Sequence, residues 1–135
     1  MPRFLTAHKV NDCNNKITIE AVDEPGSGGA NHHYRIRGFN SQTNPSCPYM
    51  KENGRPAEHA NILFQNGPIG EVGTNGTTHE VLLAIIVDRL EGFQKGPYAC
   101  RENAIALTKL QEATHWLNHR TALREARGVE GTHQV

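Results

Sequence analysis

Phe93 and Asn103 are the side chains of this sequence best suited to hold a nucleotide-like ligand. They flank the Gly96-Pro97 turn in the stretch FQKGPYACREN. An aromatic face stacks on any base, for about 1–3 kcal/mol. Asn offers both a donor and an acceptor for a base edge or a ribose hydroxyl. Unpaired backbone N–H groups where a helix starts, together with Arg101, suit a phosphate. Pro97, in the same turn, is grouped with them. A plainer alternative stays open, with Phe93 in the core and Asn103 capping the helix. A second group is the row Arg120, Arg124 and Arg127, at i, i+4 and i+7. Cations are favoured at a helix C-terminus, so the row is either a solvated face or an anion site. Asn103 and Arg120 are 17 residues apart, about 25 Å along a helix. Within one chain they cannot touch one small ligand. Either Arg120 serves a second site, or a neighbouring subunit brings it to the first.

Other signals are weaker. Arg35 and Arg37 project from one face of a strand, as a solvated edge or as groups reaching a neighbouring helix tip. His115 and His119 are i, i+4 but lack a third ligand at a recognisable spacing, so no metal is expected. HEVLL is not HExxH, and Glu80 is explained by helix capping. GGANHH and GTNGTTH lack the Lys-Ser/Thr of a phosphate-binding loop. Trp116 lies off the main helical stripe and reads as an interface or core-edge residue rather than a base platform. Cys13, Cys47 and Cys100 form no CxxC pair and no zinc spacing, as expected of thiols in a reducing cytosol. No nucleophile–base pair stands out, so the pattern favours a binder needing no cofactor over an enzyme.

The elements that must position these groups follow from periodicity. Residues 9–39 read as a β-hairpin. KITIEAV and HHYRIRGF alternate, and DEPGSGG is the turn between them. Residues 40–60 hold three prolines and read as a long polar loop. NILFQ, at 61–65, is a third short strand, and GPIGEVGTNG is a glycine-rich connector. Thr77 and Glu80 have capping-box spacing, so a helix is expected from near Thr78. Leu82, Ile85, Ile86, Arg89, Leu90 and Phe93 form its stripe, and Gly92, Gly96 and Pro97 end it. A second helix spans about 101–127, with Gly128 as its C-terminal cap. Its stripe is Asn103, Leu107, Leu110, Thr114, Leu117, Thr121 and Arg124. The short turn makes the two helices antiparallel neighbours. The expected fold is α+β: a small antiparallel sheet of about three strands, residues 1–70, then a long two-helix hairpin, residues 71–135.

Composition narrows the partners. The apolar fraction of 135 residues is 36%, low for a self-contained core, so the hairpin is expected to oligomerise. Formal net charge is zero. Residues 1–78 and 79–135 each carry seven Lys/Arg and seven Asp/Glu. Duplex DNA, which demands a surplus of cations, is therefore not expected as a partner. The start of the chain is too mixed for a signal peptide or a membrane span, which points to the cytosol.

Longer strings carry a resemblance. HKVNDCNNKITI, FQNGPI, NGTTHEVLLAIIVDRLEGFQKGPYACRENAIALTKL and RGVEGTH together resemble Thoeris anti-defence proteins of the first type, which are phage-encoded sponges. The helical part also resembles the hairpin of the phage anti-CBASS sponge. The likeness covers about residues 8–22 and 61–134, and the stretch 40–60 has no counterpart in it. The resemblance implies binding, without cleavage, of glyco-cyclic ADP-ribose signals made by TIR enzymes in the host cell cytoplasm. It implies a homo-hexamer built as a trimer of dimers. It further implies a separate pocket for CBASS cyclic di- or trinucleotides. Carried over by motif, Phe93 and Asn103 would hold the adenine and ribose of the cyclic ADP-ribose. Arg120, with Arg35 or Arg37, would serve the cyclic-oligonucleotide pocket. The rival readings are a phosphodiesterase acting on the same signals and a non-catalytic protein-interaction module.

Overall fold

A computed structural model describes residues 3–128. The end of the RGVEGTH string, 129–133, lies outside the described residues. The chain divides into two compact units, Met1–Asn66 and Gly67–Val135. The fold is α+β, a small antiparallel sheet followed by a helical hairpin.

The first unit is a four-stranded meander: β1 (Arg3–Leu5), β2 (Thr18–Ala21), β3 (His33–Arg37) and β4 (His59–Leu63), in that spatial order. Each strand is antiparallel to its neighbour. The register sets Leu5, Ile19, Ile36 and Ala60 side by side, and so fixes one apolar face. Ala21 on that face is fully buried. Tyr34 meets Phe64 edge to face at 5.8 Å. The opposite face is polar, with Glu20, Arg35 and Asn61 in one row and Thr18, Arg37 and His59 in another.

A carboxylate organises the β2–β3 turn. Asp23 accepts N–H bonds from His32 and His33 at 3.1–3.2 Å and from the Asn31 amide at 3.3 Å. Asn31 is itself buried and accepts from Arg3 at 2.9 Å. Desolvation pushes the Asp23 carboxyl up, but the His33 and His32 N–H groups and the Asn31 amide outweigh it and hold it below the ordinary 3.8. Gly38 closes the far end of β3 at φ +96, where a Cβ would lie 1.8 Å from the Lys16 carbonyl oxygen.

Three sequence expectations need correcting in this unit. Residues 9–17 are not all strand: α1 (Asp12–Lys16) forms there, capped by Asn11, whose side chain accepts from Asn14 N at 2.8 Å. β1 pairs with β2 as a fourth strand. Residues 40–60 are not a bare loop. They hold a 3-10 turn at Ser41–Thr43, α2 (Pro48–Asn53) and the first residues of β4. Pro48 opens α2, where its missing N–H costs nothing, and Gly54 closes it at φ 66. Ser41 Oγ accepts from Ala57 N at 2.5 Å and shares a hydrogen bond with Cys47 Sγ, 3.1 Å away. That hydroxyl, helped by the Ala57 and Met50 N–H groups, brings the Cys47 thiol from 9.0 down to about 7.

In the second unit, α3 (Ile69–Val72) interrupts the glycine-rich connector. α4 (His79–Gln94) and α5 (Arg101–Ala126) pack on each other as the hairpin. The cap of α4 is Thr78, not Thr77: its hydroxyl accepts from Val81 N at 3.3 Å. Gly92 lies inside α4 and does not end it. Arg127 and Gly128 finish α5, with Gly128 at φ 73 donating to Glu125 O at 3.0 Å. The α5 stripe from Asn103 to Thr121 is half-buried, and Arg124 is buried. The α4 stripe is rotated from expectation. Leu82, Leu83, Val87, Leu90 and Gln94 are half-buried, while Ile85 (54% exposed), Ile86, Arg89 and Phe93 face outward.

Candidate functional site

The turn between α4 and α5 is fastened by one side chain. Gln94, the last residue of α4, donates from Nε2 to Cys100 O at 3.2 Å and accepts at Oε1 from Cys100 N at 3.1 Å. Its amide thus pairs with a backbone unit in both directions, as a neighbouring strand would. Gly96 N bonds Phe93 O, and Ala99 N bonds Gly96 O, which tightens the loop inside that ring. Cys100 then caps α5, its Sγ accepting from Asn103 N at 3.5 Å. Sequence reasoning missed both Gln94 and the thiol cap.

This frame displays Phe93 and Asn103 on its two sides. Phe93, in the last turn of α4, is 40% exposed, so it is not a core residue of the single chain. The Arg89 guanidinium lies over its ring, 5.7 Å from the centroid. Asn103 is third in α5 and half-buried, and its side-chain amide makes no hydrogen bond to another described residue. The N–H groups of Arg101 and Glu102, first and second in α5, are likewise unpaired among the described residues. Pro97 and Arg101 are exposed, and Tyr98 is 74% exposed beside them. A partly exposed ring beneath the Arg89 guanidinium, an unspent amide, two N–H donors and the Arg101 guanidinium therefore share one end of the hairpin.

The arginine row sits at the other end of α5. Arg120 is exposed and has no hydrogen bond or ion pair with another described residue. Arg124 is only 8% exposed, and it and Arg127 make contacts of their own. A pocket of about 240 Å³ runs along this stretch, from Trp116 past Arg120 to Arg127. On the sheet, Arg35 is engaged by Glu20 at 4.0 Å and by Asn61 at 3.3 Å. Arg37, one pleat along, is exposed. Among the described residues no three His, Cys, Asp or Glu side chains cluster as metal ligands. No helix among them is long and apolar enough to cross a membrane.

Residues 56–122 match the family model described as Acb2/Tad1, hairpin domain. Thoeris anti-defense 1 of Bacillus phage SBSphiJ7 is 56% identical over 75 residues, 56% of this chain and 53% of that protein. The chain thus spans about half the length of the curated relative it matches. Phe93, Pro97, Arg101, Asn103 and Arg120 fall inside the family match, whereas Arg35, Arg37 and Arg124 fall outside it. β4, α4, the fastened turn and most of α5 lie inside the match, so this part of the chain is similar to the Acb2/Tad1 hairpin domain.

Proposed function

We propose that this chain is a phage anti-defence sponge. It binds glyco-cyclic ADP-ribose signals made by TIR enzymes in the host cytoplasm and holds them uncleaved. The observation that carries this reading is the pairing of an exposed Phe93 ring with an unspent Asn103 amide across a turn that Gln94 fastens. The ring stacks on the adenine, Asn103 takes a ribose or base edge, and the start of α5 with Arg101 meets the phosphates. Neither group is a nucleophile or a base, so the action is equilibrium capture. At sponge excess the free signal is the Kd multiplied by the ratio of bound to free protein, so tight binding replaces turnover.

The working assembly in this reading is a homo-hexamer, a trimer of dimers. Support comes from the outward apolar residues of the hairpin, Val81, Ile85, Ile86 and Ile105, each more than 40% exposed in the single chain. Soluble monomers rarely leave such a set uncovered. Arg120 and Arg124 belong to a second pocket for cyclic di- or trinucleotides, since about 25 Å separates Asn103 from Arg120 along α5.

Incubation with cyclic ADP-ribose isomers, then heat denaturation and chromatography of the released material, tests the reading. The expected product is unchanged ligand, in amounts stoichiometric with protein. Accumulation of ADP-ribose or AMP at catalytic protein levels would replace the sponge with a phosphodiesterase.

A further inference from the structure

The pocket at the end of α5 has an aromatic wall that the arginine row alone does not explain. Trp116 is 66% exposed, and two imidazoles meet its ring from one side. The His115 and His119 rings lie parallel, 6° apart in plane, with centroids at 6.5 Å. The indole stands nearly perpendicular to both, at 5.6 and 5.9 Å. These contacts restrict the indole from one side and leave the rest of the ring open to a stacking partner, and a restricted side chain loses less entropy on binding. Trp116 and Arg120 are i, i+4 neighbours, about 5–6 Å apart at Cβ. Arg124, one turn further, is a nearly buried guanidinium on the same lining. Arg120, which has no hydrogen bond or ion pair with another described residue, lines this pocket beside Arg124 and Arg127, which make contacts of their own, and a planar fork suits phosphate oxygens. The volume, about 240 Å³, falls below the range of about 300–1,000 Å³ usual for a whole drug-sized ligand. It is space for one base with its phosphate, not for an entire cyclic trinucleotide.

We infer that Trp116 is the base platform of this pocket. One nucleotide of a cyclic oligonucleotide stacks on the indole while Arg120 and Arg124 take the adjoining phosphate. The inference rests on the reading of Arg120 as a phosphate ligand. It adds that recognition there needs a base as well as charge, and that the other nucleotides of the ligand lie outside this chain's pocket.

Trp116 is the single tryptophan of the chain, so its fluorescence reports on this pocket alone. The assembled protein is titrated with cyclic tri-adenylate, cyclic ADP-ribose and tripolyphosphate, by fluorescence and by calorimetry. Cyclic tri-adenylate should quench the indole. Tripolyphosphate, which has no base, should compete for the pocket without quenching. Trp116→Ala should weaken cyclic tri-adenylate by roughly 5- to 150-fold, the loss of one stacked base. Trp116→Phe should recover most of that affinity, and both variants should keep the wild-type mass and wild-type binding of cyclic ADP-ribose. Unchanged cyclic tri-adenylate affinity in Trp116→Ala, with Arg120→Ala impaired, overturns the platform and leaves the phosphate site standing. Equal loss in the Ala and Phe variants with a fall in particle mass also overturns it, making Trp116 a packing residue. If wild-type protein binds cyclic ADP-ribose but not cyclic tri-adenylate, the second pocket and the platform fall together while the sponge reading survives.

Discussion

In the sheet unit a connected set of polar groups is answered from within, whereas in the hairpin unit many apolar groups stand open to solvent. Asp23 gathers the N–H groups of His32 and His33, Asn31 links that carboxylate to Arg3, and Ser41 joins Cys47 to Ala57. Four large apolar side chains of residues 3–66 stand open to solvent, against ten of residues 67–128. The hairpin therefore has surface to cover, and a second copy of the same hairpin is the covering that its proposed function requires. The comparison assigns different failure modes to the two units. Damage to the sheet should unfold it, and damage to the outer face of α4 should dissociate particles that remain folded.

The largest effect is expected in the sheet. Gly38→Ala forces a Cβ to 1.8 Å from Lys16 O in a left-handed backbone. The conformation alone costs about 1–3 kcal/mol, and the clash adds to it. Urea denaturation followed by circular dichroism should show the sheet unit unfolded or severely weakened. A wild-type midpoint would break the comparison on that side. On the other side, Ile85→Asp with Ile86→Asp should lower the mass in light scattering toward the 14.9 kDa chain while helicity persists. Wild-type protein already at 14.9 kDa at micromolar concentration would remove the assembly and any pocket between copies.

Next comes binding at the turn. Phe93→Ala and Asn103→Ala should each weaken cyclic ADP-ribose, with about 1–3 kcal/mol from the lost stack, roughly 5- to 150-fold. Arg120→Ala should leave that ligand nearly unchanged and weaken cyclic di- or trinucleotides instead. Calorimetry with both ligand classes decides the matter. Joint loss of one ligand in Phe93→Ala and Arg120→Ala would merge the two ends of α5 into one composite site completed by a neighbour.

Smaller effects sharpen the contrast. Gln94→Ala removes two exposed hydrogen bonds, so about 1 kcal/mol of hairpin stability is expected to go, read as a modest fall in Tm. The Asp23 carboxyl is held below 3.8 in the folded chain. Its stabilisation is complete above the unfolded value and is lost as pH falls through the lower folded one. Acid titration should weaken wild type below pH 3.8 more steeply than Asp23→Asn. Parallel acid curves would mean that the carboxylate does not organise the turn.

What could be read from residues alone depended on length and contrast. The α5 stripe was legible because Leu107, Leu110, Thr114, Leu117 and Thr121 repeat at helical spacing along a helix of 26 residues. The α4 stripe was not, because VLLAIIV is apolar on every side and periodicity cannot rank its faces. β1 has three residues and α2 has six, too few for any period to show. Pro48 and Gly54 marked the ends of α2 all the same. Adjacent threonines defeated the choice of cap, since spacing to Glu80 favoured Thr77 while the backbone used Thr78. Phe93 and Asn103 were legible as neighbours of one turn. The Gln94 bridge was not, because a side-chain amide bonding both ways to a peptide leaves no trace in spacing.

That bridge has a consequence for how such a site can spread. Its ring closes between residues 94 and 100, and the groups it presents lie between 93 and 103. The hydrogen bonds of the frame come from within it, and Arg89, one helical turn before it, lies over the Phe93 ring. Eleven contiguous residues, joined to any pair of antiparallel helices, carry their own geometry with them. If the proposed function holds, a recombining genome could move this frame as a single short exchange and leave the rest of each host protein free to diverge.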